Sequence, residues 1–276
     1  MEKTKRTLML LKAAGVAVVC ALVLSLLPRN KHTSASPRDF EEIRAEGTLR
    51  AATEYNAVSY YVDGDTIAGF HYSLINAFAA SLGLKAEITP VMSFDERMKG
   101  LDEGRFDLIA YSTVVTGPMR DSLLLSDPII LNKLVLVQRR PQSDSDTTYI
   151  SNQMQLGGRT VHIVKGSPEA LRLHNLESEI GDTIYIEEIE KYGPEQLIYM
   201  VSHGDIDYTV CDATVARSEA RTLDNIDIRT DVGFTQFYSW AADKSSPALM
   251  DTLNAFLRNY TKTAEYRALY NKYYKK

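Results

Sequence analysis

The side chains able to bind or to catalyse are sparsely placed along this chain, and their spacing suits recognition better than bond breaking. The histidines, at 32, 71, 162, 174 and 203, never fall at a two-histidine metal spacing. There is no Gly-x-Ser-x-Gly elbow, no phosphate-binding loop and no Gly-x-Gly-x-x-Gly turn. No two acids sit in a signature that would cleave a glycoside. Catalytic residues, metal and cofactor are all expected to be absent. What remains fits a small charged ligand. Arg120 follows the turn-rich Thr116-Gly117-Pro118-Met119, where a guanidinium can clamp a carboxylate through two parallel hydrogen bonds; by residue type alone, a solvated loop arginine is the simpler reading. Ser167-Pro168-Glu169 reads as a helix start, with Ser167 at the N-cap and Pro168 in the first position. Its free N–H groups can receive a carboxylate or phosphate, although most caps bind nothing. Asp212 ends the apolar run Tyr208–Cys211 and either caps the next helix or offers a carboxylate to an ammonium. Arg120 and Asp212 together would present opposite charges to a zwitterion. Tyr55, Tyr60, Tyr61 and Tyr111 can wall a cleft by flat contacts, with core packing an equal alternative for Tyr111.

The elements that must position these groups alternate strand and helix. A strand at Leu49–Thr53 leads through a tyrosine-rich loop to a helix at Tyr72–Leu82, where Phe70, Leu74, Phe78 and Leu82 recur every four residues and Gly83 stops the pattern. A strand at Ala86–Thr89 follows. Ser93 and Glu96 then suit a capping box for the helix carrying Phe94, Met98 and Leu101. Gly104 ends that helix before a strand at Phe106–Tyr111. The grammar recurs with strands at Thr160–Val164, Thr183–Glu187 and Tyr208–Cys211, helices from Ser167 and over Glu195–Ser202 and 213–221, and a strand at Ile226–Arg229. Two amphipathic helices, Pro247–Tyr260 and Thr263–Tyr274, follow a strand at Phe237–Ala241. Repeated units of this kind predict open α/β sheets with right-handed crossovers. The segment from Leu101 to Tyr111 also parallels that from Val201 to Cys211, with Gly104 and Asp107 answering Gly204 and Asp207. Two similar lobes would each carry such a helix–Gly–strand step, although two helix ends can also match by chance. Ligands of open α/β sheets bind beyond the carboxyl ends of strands, a rule that selects Ser112, Thr113 and Asp212.

The N-terminus has a different character. Lys3, Lys5 and Arg6 precede an apolar run from Leu8 to Leu27 broken only by Lys12, which reads as an export signal or a retained membrane anchor. Cys20 follows Val19 rather than a small residue, so lipidation is the minority reading, and Cys211 is the only other cysteine. Residues 28–38 suit a tether. Without residues 1–36 the chain carries 25 basic against 35 acidic side chains, the wrong sign for a nucleic-acid partner.

In order, LRAATEYNAVSYY, GFHYSLINAFAASLGLKAEI, GRFDLIAYSTVVTGPMRDSLLLSDPI, GRTVHIVKGSPEAL and GDIDYTVCDATVA resemble the family 3 extracellular solute-binding proteins. They are also similar to the non-catalytic N-terminal modules of F-type membrane-bound lytic murein transglycosylases. The resemblance implies a two-lobed type II periplasmic-binding fold with two hinge crossings. Residues 1–36 would be signal or anchor and tether, 37–138 with 235–276 one lobe, and 139–234 the other. It implies that Arg120 holds an α-carboxylate, that Ser167 supports it from the other lobe, and that Asp212 receives the α-ammonium. Thr113 would contact the amino-acid backbone and Tyr60 the side-chain pocket, while Glu54 matches a position often acidic in receptors for basic ligands. The family's usual Thr-Pro-Glu-Arg is Gly117-Pro118-Met119-Arg120 here, and His71 stands where an acid often follows Gly-Phe; both departures bear on the ligand. The expected role is a monomer that closes on an amino-acid-like ligand outside the cytoplasm, for import with an ABC permease. The alternative is an anchored sensor of peptidoglycan-derived amino acids or muropeptides with a cell-wall partner. Since the chain ends at Lys276, murein cleavage is not expected.

Overall fold

The computed structural model describes residues 36–114, 117–143 and 145–275. The expected export segment and Cys20 lie outside them. Among the described residues no helix is long and apolar enough to cross a membrane. The first half runs α1 (Phe40–Glu46), β1 (Thr48–Thr53), a hairpin of β2 (Tyr61–Asp63) and β3 (Thr66–Ala68), α2 (Phe70–Ser81), β4 (Lys85–Pro90), α3 (Phe94–Asp102), β5 (Leu108–Val114), α4 (Gly117–Ser122), β6 (Leu123–Leu125) and β7 (Ile130–Asn132). Next come β8 (Leu134–Arg139), β9 (Thr160–Val164), α5 (Glu169–Ile180), β10 (Tyr185–Ile189), α6 (Pro194–His203), β11 (Tyr208–Asp212), α7 (Ala213–Glu219) and β12 (Ile226–Asp227). The chain finishes with β13 (Gln236–Asp243), α8 (Pro247–Tyr260) and α9 (Ala264–Tyr274).

Two sheets share one plan. The first is ordered β4-β1-β5-β13-β6 and the second β10-β9-β11-β8-β12. In each, three parallel strands (β4, β1, β5 and β10, β9, β11) meet an antiparallel fourth, β13 or β8. The fourth strand is the one that has just crossed from the other lobe. The crossings lie side by side, because β7 pairs antiparallel with the start of β13 through Gln236↔Asn132 and Tyr238↔Ile130. The change of sheet comes at Lys133, since all of β8 belongs to the second sheet. Strand pairing thus places the change of sheet a few residues before the boundary expected at 138/139, because residues 134–138 pair with β11.

The sequence echo occupies matching places in the two sheets. Gly104 and Gly204 both take positive φ at the ends of α3 and α6, where a side chain would be strained. Each echo aspartate then ties the start of its central strand to an arginine. Asp107 is buried and accepts from Arg38 at 2.9 and 2.6 Å and from the Arg50 amide at 2.8 Å, and Asp207 pairs with Arg139. Arg38 is thus fixed to the first lobe rather than belonging to a loose tether. Asp39 caps α1 in a capping box with Glu42 and also accepts from Leu249 N at 2.8 Å at the start of α8, so one carboxylate joins the ends of the lobe. The α2 pattern buries Phe70, Leu74, Ile75 and Phe78 completely. His71 on the same face is buried too, and accepts from Trp240 Nε1 at 3.0 Å; burial lowers its pKa to about 3, so it is a neutral core acceptor.

Candidate functional site

Charged groups from both lobes converge where the strands of the two sheets end. Glu54 follows β1 directly and is 2% exposed. Its Oε2 accepts from Asn56 Nδ2 at 2.9 Å and its Oε1 from Arg97 Nη1 at 3.3 Å. Arg97, also 2% exposed, comes from α3. Its Nη1 donates to the carbonyls of Val91 at 2.5 Å and Met92 at 3.1 Å, and its guanidinium lies 4.9 Å from the Tyr111 ring centre. The Arg97 Nε is buried with no hydrogen-bond partner among the described residues. Burial, first, and then the charge of Glu54 push the Tyr111 phenol well above its ordinary range, so it stays a neutral O–H.

The second lobe answers with Ser167, Glu169 and Asp212. Asp212 closes β11 and does both things the sequence left open. It caps α7, Oδ1 accepting from Thr214 N at 2.7 Å and from Val215 N at 3.4 Å, and it also lines the space between the lobes with Glu54, Arg97, Tyr111, Ser167 and Glu169. Asn132 Nδ2 reaches across from the first crossing strand to both Asp212 oxygens, at 2.6 and 2.7 Å. Burial lifts the Asp212 carboxyl to about 6 and that of Glu169 to about 7. The Ser167 hydroxyl and Glu169 Oε2 are buried without a well-formed hydrogen bond, although Ser167 lies close enough to oppose part of the rise at Glu169. Ser167 is not the N-cap expected of it. The helix begins at Glu169 with Pro168 at the cap and no capping side chain, which leaves the hydroxyl to the cleft.

The space enclosed by these groups is only about 20 Å³, room for about one water molecule. A drug-sized ligand needs several hundred. Entry of any amino-acid-sized molecule therefore requires the lobes to part about the β7–β8 and β13 crossings. A second tie across the lobes is the Glu195 carboxylate on α6, which accepts from Ala57 N at 2.6 Å; burial raises it to about 7.

The other expected site residues sit elsewhere. Arg120 is exposed on α4 and lines a different cavity, of about 560 Å³, with Leu125, Asp127, Gln236 and Phe237. Its carbonyl accepts from Lys244 Nζ at 2.7 Å. Residues 115 and 116, just before α4, lie outside the described ones, and the arrangement does not bring Arg120 to Asp212. Tyr60 packs with Tyr55 and Tyr72, at ring separations of 6.3 and 5.7 Å, and is not among the residues enclosing the small cavity. Thr113 lies near the carboxyl end of β5, its backbone opposite Ser239 of β13. Sequence reasoning passed over Arg97, Glu169 and Asn132. The one readable signal was Arg97, which falls with Phe94 and Leu101 on the inward stripe of α3.

The family model of the bacterial extracellular solute-binding proteins, family 3, matches residues 48–276. The chain belongs to that family. It is 26% identical over 259 residues to a membrane-bound lytic murein transglycosylase F of Photobacterium profundum, covering 92% of this chain but 49% of that relative. The chain thus spans about half the length of the curated relatives it matches. Among solved structures, a mutant of ArgBP from T. maritima superposes with a TM-score of 0.74 at 23% identity, over 86% of this chain and 99% of that one. An amino acid ABC transporter substrate-binding protein, AbpA from Streptococcus pneumoniae, bound to L-arginine, gives 0.72 at 22% identity, over 86% and 98%. These likenesses establish the two-lobed type II periplasmic-binding fold.

Proposed function

We propose that this member of the family is a monomeric binding protein, not an enzyme, that closes its lobes on an amino-acid-like zwitterion outside the cytoplasm and delivers it to an ABC permease. Residues 8–27 would direct export or hold it at the membrane. One observation carries the reading: the buried Glu54–Arg97 pair of one lobe faces Ser167, Glu169 and Asp212 of the other across a gap of about 20 Å³. Buried charges are retained where they find partners, and the two second-lobe carboxylates have no arginine or lysine salt-bridged to them among the described residues. A ligand ammonium supplies that charge. For the ligand carboxylate, the burial of Arg97 in the cleft supports it over exposed Arg120, and Ser167 is placed to add a hydrogen bond. With three acids and one arginine in the cleft, basic amino acids are the favoured members of the class; the amino-acid-binding neighbours agree with that preference.

The half-length match to transglycosylase F supports a second reading, an anchored module that senses wall-derived amino acids or muropeptides for a cell-wall partner. A thermal-shift and calorimetry screen separates the two, using lysine, arginine, glutamine, glutamate and purified muropeptides. A ligand at one hundred times its Kd stabilises the folded state by about 2.7 kcal/mol. Saturable binding of a basic amino acid supports the first reading, and binding of muropeptides alone supports the second. No response to any zwitterion overturns both.

A further inference from the structure

A second cavity, of about 310 Å³, opens where the loop after β1, the end of α7 and the C-terminal helix α9 meet. Its walls carry Arg217, Arg221 and Lys272 together with the hydroxyl-bearing Tyr61, Ser218 and Tyr273. Three cations around one cavity stand out in a chain with a net charge of −5. Arg217 spends its hydrogen bonds on backbone carbonyls, donating from Nε to Ala213 at 3.0 Å and from Nη1 to Tyr274 at 3.5 Å. Such contacts fix the guanidinium without neutralising it. Lys272 Nζ lies 5.1 Å from the Tyr273 ring centre, and among the described residues neither Arg217 nor Lys272 is joined to a carboxylate by an ion pair. Acids also act on the walls: Asp63 is felt at Tyr61, Asp212 by Arg217 from the cleft side, and Glu195 accepts from the Ala57 amide at 2.6 Å. The Tyr61 and Tyr273 hydroxyls stand 3.3 Å apart.

We propose that this cavity is a second binding site, separate from the interlobe cleft, for a small polyanion bearing carboxylate or phosphate groups, and that its occupant holds the lobes together. Cations and hydroxyl donors converging on a concave space are the chemistry that recognises such anions. The bridging follows from the walls, since Tyr61 and α9 belong to the first lobe and α7 to the second. A single loop serves both sites: Glu54 lines the cleft, Asn56 Oδ1 accepts from Val58 N at 3.0 Å and Ser59 N at 2.7 Å, and Ala57 and Val58 line the basic cavity.

The test uses the intact protein with citrate and pyrophosphate as probes, against sodium chloride at matched ionic strength. Saturable binding in calorimetry is expected, weakened at least tenfold in R221Q/K272Q and retained in R221K/K272R. Preference for citrate or for pyrophosphate distinguishes a carboxylate ligand from a phosphate one. Binding equal in wild type and R221Q/K272Q, or absent from wild type, overturns the site. Hydrogen exchange at the Ala57 amide, which bridges to Glu195, reads the second half of the proposal. Citrate or pyrophosphate should slow it several-fold, and unchanged exchange at saturation overturns the bridging. Neither readout depends on which ligand enters the cleft.

Discussion

Replacing Glu169 by glutamine should make the ligand-free protein more stable at pH 8 and leave it nearly unchanged at pH 5. The Glu169 carboxyl rises from an ordinary 4.5 to about 7, chiefly because burial penalises its charge. A carboxyl whose folded pKa lies above its unfolded value holds more protons in the folded state between the two. Stability therefore falls as pH rises from about 4.5 through about 7. At roughly 1.4 kcal/mol per pH unit, the full span is worth about 3 kcal/mol. Asp212, raised to about 6, shares the cleft and shifts in the same direction, so the two acids titrate as a coupled pair. His71 contributes the opposite slope: its lowered folded pKa means that stability is lost as pH falls through the unfolded value near 6.5. That term is common to both proteins and cancels in their difference. Urea unfolding at pH 5 and pH 8 measures it. Glu169→Gln should exceed wild type by about 3 kcal/mol at pH 8 and by under about 1 kcal/mol at pH 5. If the two proteins differ by the same amount at both pH values, the burial argument for Glu169 is wrong. The same physics makes a cationic ligand bind more tightly at pH 8 than at pH 5, with proton release, because its charge restores the ionised acid.

Three further expectations follow from the geometry. Asp212→Ala should lose about 1 kcal/mol of stability with the cap on α7, and about 2–5 kcal/mol of affinity for a cationic ligand; unfolding and calorimetry read the two losses separately, and unchanged affinity would make Asp212 purely a cap. Arg97→Met leaves Glu54 buried and uncompensated, at a cost of about 3–5 kcal/mol in denaturant unfolding. Glu54→Gln in the same chain should restore much of it, and a double variant no better than Arg97→Met would refute the pairing. Arg120→Ala, on an exposed position, should change stability by less than about 0.5 kcal/mol and amino-acid affinity by less than about twofold. A tenfold loss in calorimetry would mean that α4 swings Arg120 into the closed, liganded cleft.

Sequence periodicity was enough for most of the framework. The four-residue spacing of Phe70, Leu74 and Phe78 demanded a buried helical stripe, and Gly104 and Gly204 supplied the left-handed stops that let two helix–strand steps match. Asp212 was legible because a carboxylate between an apolar strand and a helix has few other uses. The short α1 and the β2–β3 hairpin escaped because each takes its stability from partners far along the chain: Asp39 serves α8 as well as α1, and Tyr61 of β2 meets Tyr273. Tertiary structure alone decided the charges of the cleft. An arginine on an amphipathic helix is ordinarily assigned to water, because burying it unpaired is costly; Arg97 is buried where Glu54, 43 residues earlier, and the Val91 and Met92 carbonyls accept from it. Glu169 looked like any acid in the first turn of a helix until the opposite lobe removed its solvent. Arg120 met every local requirement of an anion clamp, yet the packing of α4 turned it toward another cavity. Local pattern determines where strands end and helices begin, whereas the charge a buried group can hold depends on what lies across from it.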